Sequence, residues 1–165
     1  MTQDPFPEDH VPKQKRYLLN PNNLLLKQLY AEINKNREFY IKEHTFGNLE
    51  DTLHSLYPTT SGPVGTHYWM GMPSMADAIA NAFERPVMYF SKNYSQTSFP
   101  HFCSTNVQPP IMIALINKPP HFVSIHMKEG LSFPAPMYVK NWEKSAIPKA
   151  LHWAKLYSQP LKWPR

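Results

Sequence analysis

Apolar positions change period halfway along the chain. After Pro21, residues Leu25, Leu26, Leu29, Tyr30 and Ile33 recur at helical spacing, which predicts a helix that opens under an Asn22 or Asn23 cap and runs on to Tyr40. A second, short helix is predicted over "GNLEDTLHSLY". Asn48 caps it, Glu50 and Asp51 suit the positive end of its dipole, Leu49, Leu53 and Leu56 form its stripe, and Tyr57 with Pro58 ends it. After a "TTSGPVG" loop, "YWMGMPSMADAIANAF" reads as a third helix with Pro73 near its first turn. Met75, Ile79, Ala80 and Phe83 give its stripe, and Ala76, Ala78, Ala80 and Ala82 permit close packing on a sheet.

Beyond Arg85 the runs shorten and bring strands into view: "PVMYFS" (86–91), "IMIALIN" (111–117) and "HFVSIHM" (121–127) are bounded by Pro, Asn and Gly. Ile111 to Ile116 is apolar throughout and is therefore expected as a central strand covered on both faces, whereas 121–127 alternates. A last helix is expected over Ile147–Tyr157, with Trp153 packed on the body. This order predicts an α+β fold with a small central sheet of about three or more strands sandwiched by helices. No repeat of 20 to 50 residues is visible.

Composition narrows the class. The chain has 165 residues, 42% hydrophobic, enough for one domain with a core. Residues 1–21 carry four prolines and little periodicity, so the expected organisation is a flexible leader (1–21), a domain (22–158) and a C-terminal tail (159–165). The excess of 17 Lys and Arg over 12 Asp and Glu gives a net charge of +5. These cations are scattered, and the tight cluster Lys13, Lys15 and Arg16 falls in the leader, so nucleic acid is a weakly supported partner. A single cysteine, Cys103, forms no intrachain disulfide, which favours a reducing, intracellular compartment, cytoplasmic or nuclear. No apolar run reaches the length of a membrane span.

Cysteine-dependent hydrolysis needs a thiol, an imidazole to take its proton and a group to orient that imidazole. Cys103 with His121 is the pair this sequence offers, with His101 two residues from the cysteine. Cys103 sits in "SFPHFCSTNVQPP", where no helix follows to lower its pKa, so a small packing residue is the competing reading. Eight histidines raise the question of metal. His121 and His126 are five apart on an expected strand and point to opposite faces; His101, His121 and a carboxylate would have to converge from afar, and no metal or cofactor is expected. His44, His54, His67 and His152 read as surface or half-buried positions. Trp69, Trp142, Trp153 and Trp163 read as packing residues rather than a stacking platform, because the strands carry almost no Lys or Arg to accompany them. Met70, Met72 and Met75 read as core filler.

Three blocks, "YWMGMPSMADAIANAFERPVMYFS", "PPIMIALINKPPHFVSIHMKEGLSFPAP" and "NWEKSAIPKALHW", with "FPHF" between the first two, resemble in order and spacing the C-terminal two-thirds of an OTU (ovarian-tumour) cysteine-protease domain. The style is that of OTU-like domains found beside transposase sequences in mobile elements. "LLLKQLYAEINKNREFY" resembles the helix after the family's catalytic helix, so the likeness covers about residues 24 to 157. It implies that His121, followed by Phe122, holds the seat of the general base. It also implies that ubiquitin or a ubiquitin-like protein is the ancestral partner.

The departures decide the expected activity. The family's nucleophile stands in an Asp-Gly-Asn-Cys motif opening a helix, and residues 1–20 contain neither cysteine nor glycine. Val123 stands two positions after His121, where some members keep the orienting residue. The resemblance therefore implies an OTU-like domain truncated before its catalytic helix and inactive as a protease, with apolar surface left in need of a cover. The competing readings are an active cysteine hydrolase using Cys103 and His121, and a basic nucleic-acid-associated module of a mobile element.

Overall fold

The computed structural model describes residues 24–56, 71–117, 120–128, 132–133, 135–159 and 161–162. The leader, the Asn22 or Asn23 cap, the 57–70 loop, His67, Trp69, Met70 and Trp163 lie outside the described residues. The chain divides into two compact units, Met1–Ile41 with Phe46–Met70, and Lys42–Thr45 with Gly71–Arg165.

In the first unit, helix α1 (Leu24–Lys35) buries Leu26, Leu29 and Ile33 and leaves Leu25 exposed. The single expected helix is interrupted at Asn36, whose side-chain amide donates to Glu32 Oε1 at 2.7 Å, before α2 (Arg37–Lys42) resumes with Tyr40 N bonded to Asn36 O. Tyr40 Oη donates to the same Glu32 carboxylate, and its ring packs 5.5 Å from that of Phe46. Helix α3 (Leu49–Ser55) starts as its sequence demands. Asn48 Oδ1 accepts from Asp51 N, and Leu53 and Leu56 turn inward. Glu50 pairs with Arg37 across to the preceding helix.

The second unit holds the sheet. Helix α4 (Ser74–Phe83) buries Met75, Ala76, Ala78, Ile79 and Ala80. It closes on Glu84, a non-glycine residue in the left-handed region at φ 52°, with Arg85 N bonded to Ala80 O. Its small side chains let it pack on strands β1 (Val87–Phe90) and β2 (Ser95–Ser98). Strands β3 (Ile111–Asn117) and β4 (Pro120–Ser124) complete a four-stranded sheet of order β2-β1-β3-β4. β1 pairs with β2 and β3 with β4 antiparallel, while β1 and β3 run parallel. Thr97 also bridges Tyr138 beyond β2. The fold is α+β with a small mixed sheet, as the sequence predicts.

The sheet adds one strand that the sequence did not signal and corrects one expectation. Strand β2, sequence SQTS, lacks an apolar residue and so gave no strand signal. Its polar side chains are nonetheless taken inward, with Thr97 and Ser98 buried. Of β3 only Met112 is buried, while Ile113 to Leu115 are half-buried and Ile116 is exposed. The strand covered on both faces is β1, where the successive residues Val87 and Met88 have no exposure at all.

The C-terminal segment folds as α5 (Trp142–Ser145), a 3-10 turn (Pro148–Leu151) and α6 (His152–Leu156) rather than one helix. Pro148 lacks an N–H to continue α5, so the chain restarts at it. Trp153 is fully buried as expected, in a cluster with Phe99, Trp142 and Ala150. Strands β5 (Ser132–Phe133) and β6 (Leu161–Lys162) pair antiparallel, which brings part of the expected tail into regular structure. No described helix is long and apolar enough to cross a membrane.

Candidate functional site

The residues with chemical potential fall in two places, at opposite ends of the sheet. His121 lies on β4, opposite Ile116 of β3, and is half-buried. Cys103 lies in the 99–110 connection, which is tied to the other end. Arg85 Nε donates to Pro109 O at 2.7 Å, Asn106 Nδ2 to Glu84 O at 2.7 Å, and Ile111 N to Pro86 O at 2.8 Å. These anchors hold the connection where β1 and β3 begin. Ile116 lies five residues further along β3, about 16 Å at the rise of an extended strand. The fold therefore does not bring Cys103 and His121 within the reach that proton transfer needs.

The surroundings of Cys103 are those of a packing residue. It is half-buried against the Phe99, Trp142 and Trp153 cluster, and its carbonyl accepts from Trp153 Nε1 at 3.1 Å. Burial pushes its thiol pKa up and the Glu84 carboxylate adds to that, with Trp153 and Lys149 pulling the other way. The thiolate is thus disfavoured, the reverse of what a nucleophile requires.

A second set of groups escaped the sequence reading. Asp77 and Asn81 stand one turn apart on α4, on the side turned to β2 and its extension. Asn81 Oδ1 accepts from His101 N at 2.7 Å and lies 3.3 Å from His101 Nδ1. A backbone N–H can only donate, which identifies the Asn81 atom as oxygen, so the imidazole must carry its hydrogen on Nδ1. Both side chains are buried, Asn81 at 7% and His101 at 5% exposure. Burial lowers the His101 pKa to about 4, so the ring is neutral near pH 7. The ring of Trp142 stands 6.3 Å away, edge-on.

Asp77 completes the group. Desolvation of its carboxyl raises its pKa from 3.8 to about 6, and a hydrogen bond with Ser98 works in the lowering direction. The Ser98 hydroxyl is buried and has no well-formed hydrogen bond of its own. The one signal that could have found these residues is their setting. Asp77 and Asn81 are the polar interruptions in an otherwise small and apolar stretch, "MADAIANAF", and a polar residue inside a packing face must find a buried partner.

Elsewhere, His44, His54 and His152 are exposed, as their sequence setting suggests, and Trp142 and Trp153 are too buried to stack on bases. Among the described residues, no three His, Cys, Asp or Glu side chains are placed to hold one metal ion. Comparison with family models, curated proteins and solved structures finds no match to this chain.

Proposed function

We propose that this chain is a non-catalytic OTU-like domain whose remaining role is to bind a ubiquitin-type partner. The family assignment rests on the order of the sequence blocks around His121 and Phe122. The loss of catalysis rests on one observation, the separation of Cys103 from His121 by the length of β3. At the end of the sheet where β1 and β3 begin, burial and the Glu84 carboxylate disfavour the Cys103 thiolate that such a mechanism needs.

The test is a fluorogenic ubiquitin substrate with the full chain. No turnover above buffer is expected, for the chain as it stands and for Cys103→Ala alike. Turnover abolished by Cys103→Ala would overturn the non-catalytic reading. Titration of labelled chain with ubiquitin, followed by amide chemical shifts, tests the partner separately: shifts confined to one surface are expected, and unchanged spectra at millimolar ubiquitin would remove ubiquitin itself from the proposal.

A further inference from the structure

The positive charge of this chain is concentrated near its C-terminal end. Six of the 17 Lys and Arg but one of the 12 Asp and Glu lie in residues 137–165; the other residues hold eleven of each, so this stretch carries the whole net charge of +5. The fold then gathers much of it. Trp142, Ala150 and Trp153 meet Phe99 in one cluster, and Lys140, Lys144, Lys149 and Lys155 each stand within two residues of one of these anchors and are exposed. Among the described residues none of the four forms an ion pair. Glu143, the one acid of the stretch, accepts a hydrogen bond from Tyr138 Oη. Glu84, whose carboxylate opposes Lys149 in its effect on Cys103, makes no ion pair with that lysine.

Aliphatic side chains are exposed between these lysines. Along the 3-10 turn and α6, Ala150 and Trp153 are taken into the cluster, while the one-turn pairs Leu151 with Lys155 and His152 with Leu156 stand outside. Leu151 is 40% exposed, Leu156 49%, and Val139, next to Lys140, 50%. The mixture selects among polyanions. Surfaces for single-stranded nucleic acid combine cations with exposed aromatic rings or arginine planes. Here Tyr138, Trp142, Trp153 and Tyr157 are packed into or against the cluster, and the described part of the stretch holds no arginine. An anionic lipid surface engages both components, lysines at the headgroups and leucines at the acyl boundary. We propose that residues 139–156 form a docking surface for anionic phospholipid bilayers, on which the chain rests at headgroup level.

The experiment sediments the full chain with vesicles of phosphatidylcholine alone and with vesicles containing about 30% phosphatidylserine. Binding to the second kind only, weakened by added salt, is expected; equal binding to both, or to neither, overturns the proposal. Lys149→Glu with Lys155→Glu should weaken binding by about twentyfold or more, at about fivefold per lysine removed. Leu151→Ser with Leu156→Ser leaves the charge unchanged and should weaken it by about tenfold. Lys27→Glu with Lys35→Glu makes the same charge change at exposed positions of α1 and should stay within about twofold of the unaltered chain. Unchanged binding by the Lys149 and Lys155 variant, or an equal loss with the α1 variant, overturns the proposal. Unchanged binding by the leucine variant reduces the face to a bare polyanion contact and overturns the lipid assignment, as does retention of a short DNA duplex without retention of vesicles. Circular dichroism checks that each variant folds. Should the charge reversal unfold the chain, Lys149→Gln with Lys155→Gln takes its place and should still weaken binding by about tenfold.

Discussion

Strands β1 and β3 lie side by side in parallel register and are both apolar, yet they live in different surroundings. In β1, Val87, Met88 and Tyr89 are all buried; in β3, the partners of those residues are Ile111, Met112 and Ile113, and only Met112 is buried. The difference lies in what stands around each strand. α4 packs on β1 and β2, and beyond β2 come the Tyr138 bridge and the aromatic cluster built on Phe99. Past Met112, β3 has β4 beside it, and its apolar side chains run out toward exposed Ile116. An apolar strand is thus permission for burial and not evidence of it, since cover is supplied by other elements.

The largest effects should come from the covered half. Trp153→Ala removes a fully buried indole and its hydrogen bond to Cys103 O, and a loss of about 3–5 kcal/mol in unfolding free energy is expected. Urea unfolding followed by circular dichroism measures it; a loss below about 1 kcal/mol would show that the aromatic cluster is not the anchor of this half.

The same comparison can be made within the sheet itself. Met88→Ala empties a site with no exposure and should cost about 2–5 kcal/mol. Ile113→Ala, one residue further along the paired strand and half-buried, should cost clearly less. Equal losses at the two positions would mean that the cover over β3 matches that over β1 in solution.

Next in size is the polar contact of Asn81 with His101. Asn81→Ala deletes the acceptor of His101 N and leaves that buried donor unpaired, at a cost of about 1–3 kcal/mol. Asn81→Asp returns an acceptor but adds a second carboxyl beside His101. Its stability relative to Asn81→Ala should rise in acid, where the new carboxyl is neutral or meets a protonated ring, and thermal melts at pH 5 and 7.5 read the difference. No such trend would remove Asn81 from that contact.

What the sequence made legible was set by residues whose local chemistry leaves little choice. Asn48 ahead of Leu49, Glu50 and Asp51 announces a capped helix because its side chain is the nearest acceptor for the exposed amides, and the structure uses it so. Trp153 in an amphipathic stretch announces burial by its size. β2 was illegible because Thr97 and Ser98 owe their burial to partners distant in sequence, the Pro136–Tyr138 segment and Asp77, and nothing within SQTS signals them. The contact of Asn81 with His101 was missed for the same reason: the two residues are 20 positions apart in the chain, and the fold brings them together. His121 was legible as a strand residue, and its distance from Cys103 was not, because strand order and register are tertiary facts.

The smallest effect bears most directly on the contrast between the halves. Ile116 is 43% exposed at the outer end of β3, facing His121 across the β3–β4 ladder, so its side chain has already kept much of its contact with water. Ile116→Ala should therefore change stability by less than about 1 kcal/mol, against several for Met88→Ala, although both truncate large apolar side chains in paired strands of one sheet. Ile116→Lys sharpens the point. In a site covered on both faces a lysine would cost far more than alanine, because its ammonium would lose its water, whereas at an open strand end the charge extends into solvent and the two variants should unfold at nearly the same urea concentration. If the lysine variant proves less stable than the alanine variant by more than about 2 kcal/mol, then β3 is covered in solution as β1 is, and the contrast between the two strands fails.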